Sequence, residues 1–413
     1  MAAAPKPTKP FVTVSSNGLA NRTSAVPNDG ADFGPDTPGT KTNGAQEAVD
    51  YLVGRYKGPK ATAPVGGSIM FHPGFQLPST LVIPVWLGLH LEASDINFTG
   101  SGNVDAIQIG FNYADIHGVL LGNSIIKIGT LRGPNRFGAI TAPNPAGTTG
   151  IHVKQFAGGT LEIGSIMGFG NIGLWFDNND PNSGFNACAS TTVTVGVISN
   201  CGVGLQINSD SPDGSFFGSN FVRVGDLATN FYGGLLDAMT DAAGNLTYTK
   251  QKTVNNWFHL TAEDSSSVSV PKPPPEACDL YFNCSQNYIF SQAKHLRLRG
   301  ANNWILSVFV FAFDDYNPGA NRIVFAQARQ GFGIATPAPP AGLGRPSAVA
   351  NRLPFPVRVY QSVVGPNSNG THIVDFFGHD VALPTDPVEF TLDPGASVYY
   401  TTSVPRFWRW YGT

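Results

Sequence analysis

A short pattern recurs four times along this chain, and a recurrence of this kind leaves few folds open. The copies read IIKIGTLRG (Ile125–Gly133), LEIGSIMGFG (Leu161–Gly170), VTVGVISNCG (Val193–Gly202) and VRVGDLATNF (Val222–Phe231). In each, two apolar residues flank one outward position and a glycine follows. Those glycines, Gly129, Gly164, Gly196 and Gly225, are 35, 32 and 29 residues apart. A second short strand trails each copy: GIHVK (Gly150–Lys154), GLWFD (Gly173–Asp177), GLQIN (Gly204–Asn208) and GGLLD (Gly233–Asp237), with DLYFN (Asp279–Asn283) as a fifth. Short strands returning at an irregular period of about 30 residues, with loops of variable length between them, mark a solenoid. One coil alone leaves an apolar face in water, so burial requires stacking on its neighbours. The pattern predicts a parallel β-helix.

Composition points the same way. The 413 residues include 48 Gly and 32 Pro, with 42% apolar and only 13% charged, as in an all-β chain with many turns. A solenoid grows in one dimension, so this length need not divide into several globular cores. A formal net charge of −3, without a basic stripe, argues against a nucleic-acid partner. No apolar run reaches the length of about 18 residues that a membrane-spanning helix needs. Met1–Pro10 lacks the apolar core of a secretory signal. A removed signal, another export route or a virion component are the alternatives. Cys188, Cys201, Cys278 and Cys284 allow at most two disulfides. Cys201 takes the repeat position of Phe169, which favours a buried thiol.

Residues 1–25 are polar and Pro-rich and read as a flexible arm. Residues 26–60 hold an amphipathic helix, with Thr42 or Asn43 as cap, Glu47 in its first turns, and Ala45, Val49, Leu52 and Val53 on its apolar face. Such a helix would cover the open end of a solenoid. Residues 61–334 carry the coils, among them Asn302–Phe313 as a late, buried strand pair. Val270–Cys278 is a proline-rich excursion. Residues 335–354 read as a linker, and 355–413 alternate like a small β-unit suited to a second cap, a trimerisation module or a ligand-binding module.

The order of these features carries a resemblance. Asn28-Asp29-Gly30-Ala31-Asp32, then the helix, then GGSIMFHPGF (Gly66–Phe75) and Leu81-Val82-Ile83-Pro84, resemble the opening phrases of the pectate-lyase-like superfamily. The likeness covers residues 26–100 as motif and 100–315 as general repeat. It implies a right-handed, single-stranded parallel β-helix with a helical N-terminal cap, and a polysaccharide as partner. The superfamily holds polysaccharide lyases, polygalacturonases and phage tailspikes, so the fold does not choose among enzyme, adhesin and spike. Asp314–Asp315 is the only paired aspartate here, and the Gly-His-Gly and Arg-Ile-Lys motifs of polygalacturonases are missing. GLWFDNN (Gly173–Asn179) is the nearest counterpart of the pectate lyase Trp-Ile-Asp-His, without its histidine.

Aligning the coils stacks Lys154, Asp177, Asn208, Asp237 and Asn283 in one column, about 4.8 Å per coil. Asp177 and Asp237, two coils apart, would then hold carboxylates about 9–10 Å from each other. Inverting glycosidases use about 6.5–9.5 Å. Asp180, Asp210 and Asp213 lie just beyond and could replace either member. The candidate catalytic acids are therefore Asp177, Asp180, Asp210 and Asp237, with Lys154 and Trp175 as candidate substrate contacts. The competing reading is structural, because Asp and Asn end strands as turn formers and stack in hydrogen-bonded ladders.

The KHLRLRG stretch offers Lys294, His295, Arg297 and Arg299. In a strand the last three share one face, which could hold a polyanionic glycan or pair with neighbouring acids. The eight histidines show no metal-ligand spacing. The run Asp177–Asp180 (DNND) offers oxygens for a Ca²⁺ ion or forms a turn, and no other cofactor is expected. Trp175, Phe216, Phe217, Trp257 and Phe258 recur near the loops after the repeats, to stack on sugars or to fill the interior. Trp408 and Trp410 either seal the C-terminal unit or expose a sticky edge. The expected function is extracellular processing of a polysaccharide, by hydrolysis or elimination, in a groove on a β-helix. The alternative is a non-catalytic, homotrimeric spike, fibre or adhesive protein at a cell or virion surface.

Overall fold

The computed structural model describes residues 11–15, 31–53 (except 36 and 38), 67–84, 89–110, 124–135, 142–177, 187–208, 216–262, 280–309 (except 294), 312–325 (except 318 and 319), 337–361 (except 354 and 355), 369–383, 389–405 and 408–412. Among these residues twelve strands form one sheet, nine a second and three short ones a third. From Leu89 onward the chain lays one strand in the large sheet and the next in the nine-stranded sheet, coil after coil. All-β structure with long parallel sheets in this order fits a parallel β-helix.

The repeat fixes the register. Leu161 of the Thr160–Met167 strand lies beside Ile126 on one side and Val193 on the other, and Val193 lies beside Val222. In the nine-stranded sheet Leu174 lies between Ile151 and Leu205. Each aligned apolar position points into one continuous interior cluster, where burying a Leu, Ile or Val contributes about 1.5–3 kcal/mol. The glycine of each repeat marks a close approach. A Cβ on Gly164 would collide with the carbonyl oxygen of Gly129, one on Gly196 with that of Gly164, and one on Gly225 with that of Gly196.

A buried asparagine ladder runs through the later coils. The Thr191 N–H donates to Asn220 Oδ1 at 3.0 Å. Both the backbone N–H and the side-chain amide of Asn220 donate to Asn256 Oδ1, at 3.0 and 3.0 Å. The same double donation passes from Asn256 to Asn287, from Asn287 to Asn303 and from Asn303 to Asn321. Left-handed residues precede the rungs, Ser219, Asn255, Gln286 and Asn302, with φ of 57°, 57°, 59° and 60°. The residue after each rung faces outward, giving a column of Phe221, Trp257, Tyr288, Trp304 and Arg322. Trp257 and Tyr288 stack at 4.7 Å, and the Arg322 guanidinium lies 4.3 Å over Trp304.

Part of the outer face of the nine-stranded sheet is covered. A hairpin, Ala238–Thr240 with Leu246–Tyr248, packs on it and builds a second cluster from Ile172, Val203, Tyr232, Leu235, Ala238 and Tyr281. Hence strands such as Val203–Asn208 are buried along their whole length rather than alternately.

At the N-terminal end, Phe11–Val14 pairs with Gly67–Phe71, so this part of the expected arm is a sheet strand, with Val12 and Val14 buried. The Ala45–Leu52 helix packs on Phe11–Val14, Gly67–Phe71 and Leu81–Ile83 through Ala45, Ala48, Val49 and Leu52. Thr42 Oγ1 accepts the Gln46 N–H at 2.8 Å, and Glu47 accepts the hydroxyls of Thr40 and Thr42. At the other end two antiparallel sheets enclose a separate cluster containing Trp410, Tyr400 and Val359. Val349–Ala350, in the stretch read as a linker, joins one of them. Cys188, Cys201 and Cys284 are free and buried, and burial pushes the first two thiols up to about 12. Cys278 and the Val270–Cys278 excursion lie outside the described residues.

The ladder generates a test. Asn256→Ala strips acceptors from the Asn220 donors and leaves the Phe217 and Val254 carbonyls without their donor. Buried groups left unsatisfied cost about 1–3 kcal/mol each, so the variant should unfold at clearly lower denaturant concentration, by about 3 kcal/mol or more. Chemical denaturation followed by tryptophan fluorescence checks this.

Candidate functional site

The aligned column exists, but its members do different things. Asp177 lies beside Asn208 in the sheet, and Asp237 and Asn283 follow on the next coils. Asp237 is fully buried, has φ 52°, and accepts the N–H groups of Lys252 and Thr253 at 3.1 and 2.9 Å and the Thr253 hydroxyl at 2.8 Å. It ties the end of the covering hairpin to the coil. Asn283 donates to the carbonyls of Asp237 and Thr249. Asp177 is 7% exposed, with Oδ2 at 3.2 Å from His152 Nε2. Asp177 and Asp237 therefore do not face a shared water-filled groove. Lys154 is half-buried beside Asp177 in this column.

A pocket of about 420 Å³ opens elsewhere on the same sheet. Its wall is the column two residues upstream, Gln108, His152, Trp175 and Gln206, which lie in register on successive coils. The turn before this strand adds Asn103 and Val104, the strand's first residue adds Asp105, and the hairpin adds Met239, Thr240 and Asp241. Of the described residues expected at a site, Trp175 alone lines this pocket. Asp180, Asp210 and Lys294 lie outside the described residues. His295 is half-buried at the start of its strand, and Arg297 is buried with its guanidinium 5.6 Å from the Tyr316 ring. Arg299 lies 3.9 Å over Tyr248 and 5.0 Å from Tyr316. Arg297 and Arg299 are thus set against aromatic rings, and neither they nor His295 line the pocket.

The pocket's polar machinery is a linear array. His152 Nδ1 is 2.8 Å from Asp105 Oδ2, and Nε2 is 3.2 Å from Asp177 Oδ2. Burial works against the imidazolium, but the hydrogen bonds to Asp105 and Asp177 outweigh it and raise the His152 pKa. Both ring nitrogens donating to carboxylates is the arrangement of a charged imidazole. Gln108 donates to Asp105 Oδ2 at 2.8 Å, so that oxygen is held twice. Asp105 Oδ1 makes no hydrogen bond among the described residues. Trp175 stacks on His152 at 3.9 Å and 10° and donates from Nε1 to Asn208 Oδ1 at 2.6 Å. Gln206 Nε2 donates to the same oxygen at 3.0 Å. Asp241 is engaged in its own turn, accepting from Ala243 and Asn245, and these bonds hold its carboxyl below the usual range.

The imidazole occupies the gap between Asp105 and Asp177, so this pair does not enclose a water as inverting carboxylates do. Among the described residues no group of three His, Cys, Asp or Glu side chains is arranged to hold a metal ion. Asp105, His152 and Gln206 are new relative to the sequence reading. The signal for His152 and Gln206 was the third position of GIHVK, GLWFD and GLQIN, which is outward and polar or aromatic in all three, whereas Asp105 lies outside these copies. Comparison with protein-family models, with curated proteins and with solved structures gives no match.

Asp237 supplies a pH test. Burial pushes its pKa up to about 7, against the downward pull of the Thr253 and Lys252 donors. An unfolded Asp ionises near about 3.9. Between those values the unfolded chain has lost the proton that the folded chain keeps, so this group's contribution to stability falls as pH rises through the window. Asp237→Asn should flatten the difference in melting temperature between pH 5 and pH 8. An unchanged difference would show that Asp237 ionises normally in the folded protein.

Proposed function

We propose that this chain is a polysaccharide-recognising protein built on a right-handed, single-stranded parallel β-helix of the pectate-lyase-like kind. In this reading the Ala45–Leu52 helix caps the N-terminal end, and the protein acts at an extracellular, cell or virion surface. The glycan site is the pocket lined by Asp105, His152, Trp175 and Gln206. The observation that carries the reading is Asp105: one carboxylate oxygen is anchored by His152 and Gln108, and the other is left without a partner among the described residues. A pre-oriented acceptor in a small polar cavity suits a hydroxyl-rich ligand. The volume of about 420 Å³ lies within the roughly 300–1,000 Å³ of small-ligand sites. The closed Asp105–His152–Asp177 array favours recognition over two-carboxylate hydrolysis, and Asp105 is the residue on which any bond cleavage in this pocket would depend.

A homotrimeric spike or fibre is the second reading, favoured by the large sheet. Phe221, Trp257, Tyr288, Trp304 and Leu306 are exposed side by side, Trp257 by 60%. The stacked rings turn their faces on one another and offer edges outward, which suits an apolar flank against another copy better than a platform for sugar rings.

A panel of neutral and acidic polysaccharides tests the first reading, with binding, reducing ends and unsaturated uronide absorbance all followed. The expected result is binding that Asp105→Asn weakens at least about tenfold, or about 1.4 kcal/mol. Binding that survives Asp105→Asn unchanged would move the glycan off this pocket. New reducing ends that vanish in Asp105→Asn would add catalysis. Light scattering tests the second reading, which requires a trimer that Trp257→Ser with Trp304→Ser dissociates.

A further inference from the structure

We infer that the pocket takes an uncharged sugar unit, one of whose hydroxyls donates to Gln206 Oε1, and that it turns away uronic acids. The inference rests on the pocket being the glycan site. It begins at Trp175, because an indole N–H can only donate. The atom it meets at 2.6 Å is therefore the carbonyl oxygen of Asn208. That oxygen accepts again from Gln206 at 3.0 Å, so Gln206 presents its NH₂ there and its carbonyl elsewhere. The amide orientation is thus fixed by chemistry.

Gln206 is 2% exposed and lines the pocket, and its Oε1 has no hydrogen-bond partner among the described residues. A buried acceptor of this kind waits for a donor. A hydroxyl donates, whereas an ionised carboxylate only accepts. Asp105 Oδ1 asks for a donor as well, so the two unengaged acceptors of this wall both call for hydroxyls.

Charge points the same way. Asp105 and Asp241 line the pocket, and Asp177 lies directly behind His152. Among the described residues His152 is the only basic side chain in the lining, and both of its ring nitrogens are already engaged by Asp105 and Asp177. A uronate entering here would bury a carboxylate among carboxylates, with no unengaged cation among the described lining residues to receive it, which is costly. Elimination beside a sugar carboxylate is thereby disfavoured at this pocket.

The test is titration calorimetry with two oligosaccharides of equal length, oligogalactose and oligogalacturonate, on the full chain, on Gln206→Leu and on Asp105→Asn. The expected result is binding of the neutral ligand at least 100-fold tighter than of the uronate, with a loss of about tenfold or more in Gln206→Leu. Monodeoxy forms of the neutral ligand, tried on the unaltered protein, should include one that loses as much, which keeps the test independent of the variant's folding. Uronate binding as tight as neutral binding would overturn the inference, as would tighter binding of an amino-sugar counterpart. Unchanged neutral affinity in Gln206→Leu would do so too. If affinity falls in Asp105→Asn while neutral and uronate ligands bind alike, the glycan site stands and the selectivity fails. If neither ligand binds, or neither substitution alters binding, the pocket reading fails and the inference with it.

Discussion

Stacking of one coil on the next depends on satisfying the turn that separates them, and the asparagine ladder does this. Each turn leaves backbone donors and acceptors in a dry interior, where water cannot serve them. Asn256, Asn287 and Asn303 each take two donors on Oδ1 from the coil before, Asn220 takes one, and all four return amide protons to carbonyls of the coils around them. An Asp in their place would lack the amide protons, and a Ser would not span the gap. The ladder therefore locks register as well as spacing, and a slip of one residue would put every inward apolar side chain in water. The outward aromatic column on the large sheet follows directly, because each rung is followed by a residue that must face out.

Register in turn creates the pocket. Holding Gln108, His152, Trp175 and Gln206 in line on four successive coils gives a polar column on a sheet face that would otherwise be open. The hairpin over the neighbouring part of that face ends beside the column and turns it into a cavity. Asp237 anchors the hairpin from within, so the residue that aligned with Asp177 shapes the site at a distance. In the cavity two carboxylates hold one imidazole between them, and the array keeps Asp105 fixed with one oxygen unengaged among the described residues. Rigidity of that sort belongs to recognition, since an imidazole engaged at both nitrogens has no free nitrogen to offer a substrate.

Much of the fold was legible because its signals are local and periodic. The repeated glycines and the apolar pairs beside them gave the strands and, through the Asp177–Asn208 alignment, the register. The site was harder. Period-two alternation says which residues face out but not what will lie over them, and the hairpin at residues 238–248 falls where the repeat is interrupted. His152 was visible only as one of several scattered histidines, and Asp105 stands on a strand, Asp105–Ile109, outside the repeats that were aligned. Asp177 and Asp237 looked alike in sequence, yet one meets an imidazole and the other a backbone turn. The Asn-aromatic dipeptides at Asn220, Asn256, Asn287 and Asn303 were readable as a repeat of their own. They were hidden by variable spacing and by a stronger pattern of apolar pairs.

The most direct measurement is a crystal structure of the full chain soaked with a neutral oligosaccharide. The expected result is a sugar ring in the pocket, with one hydroxyl within hydrogen-bond distance of Gln206 Oε1 and another at Asp105 Oδ1, and with Asp105, His152 and Asp177 still in line. A sugar seated instead along Trp257, Tyr288 and Trp304, with the pocket unvisited, would contradict it.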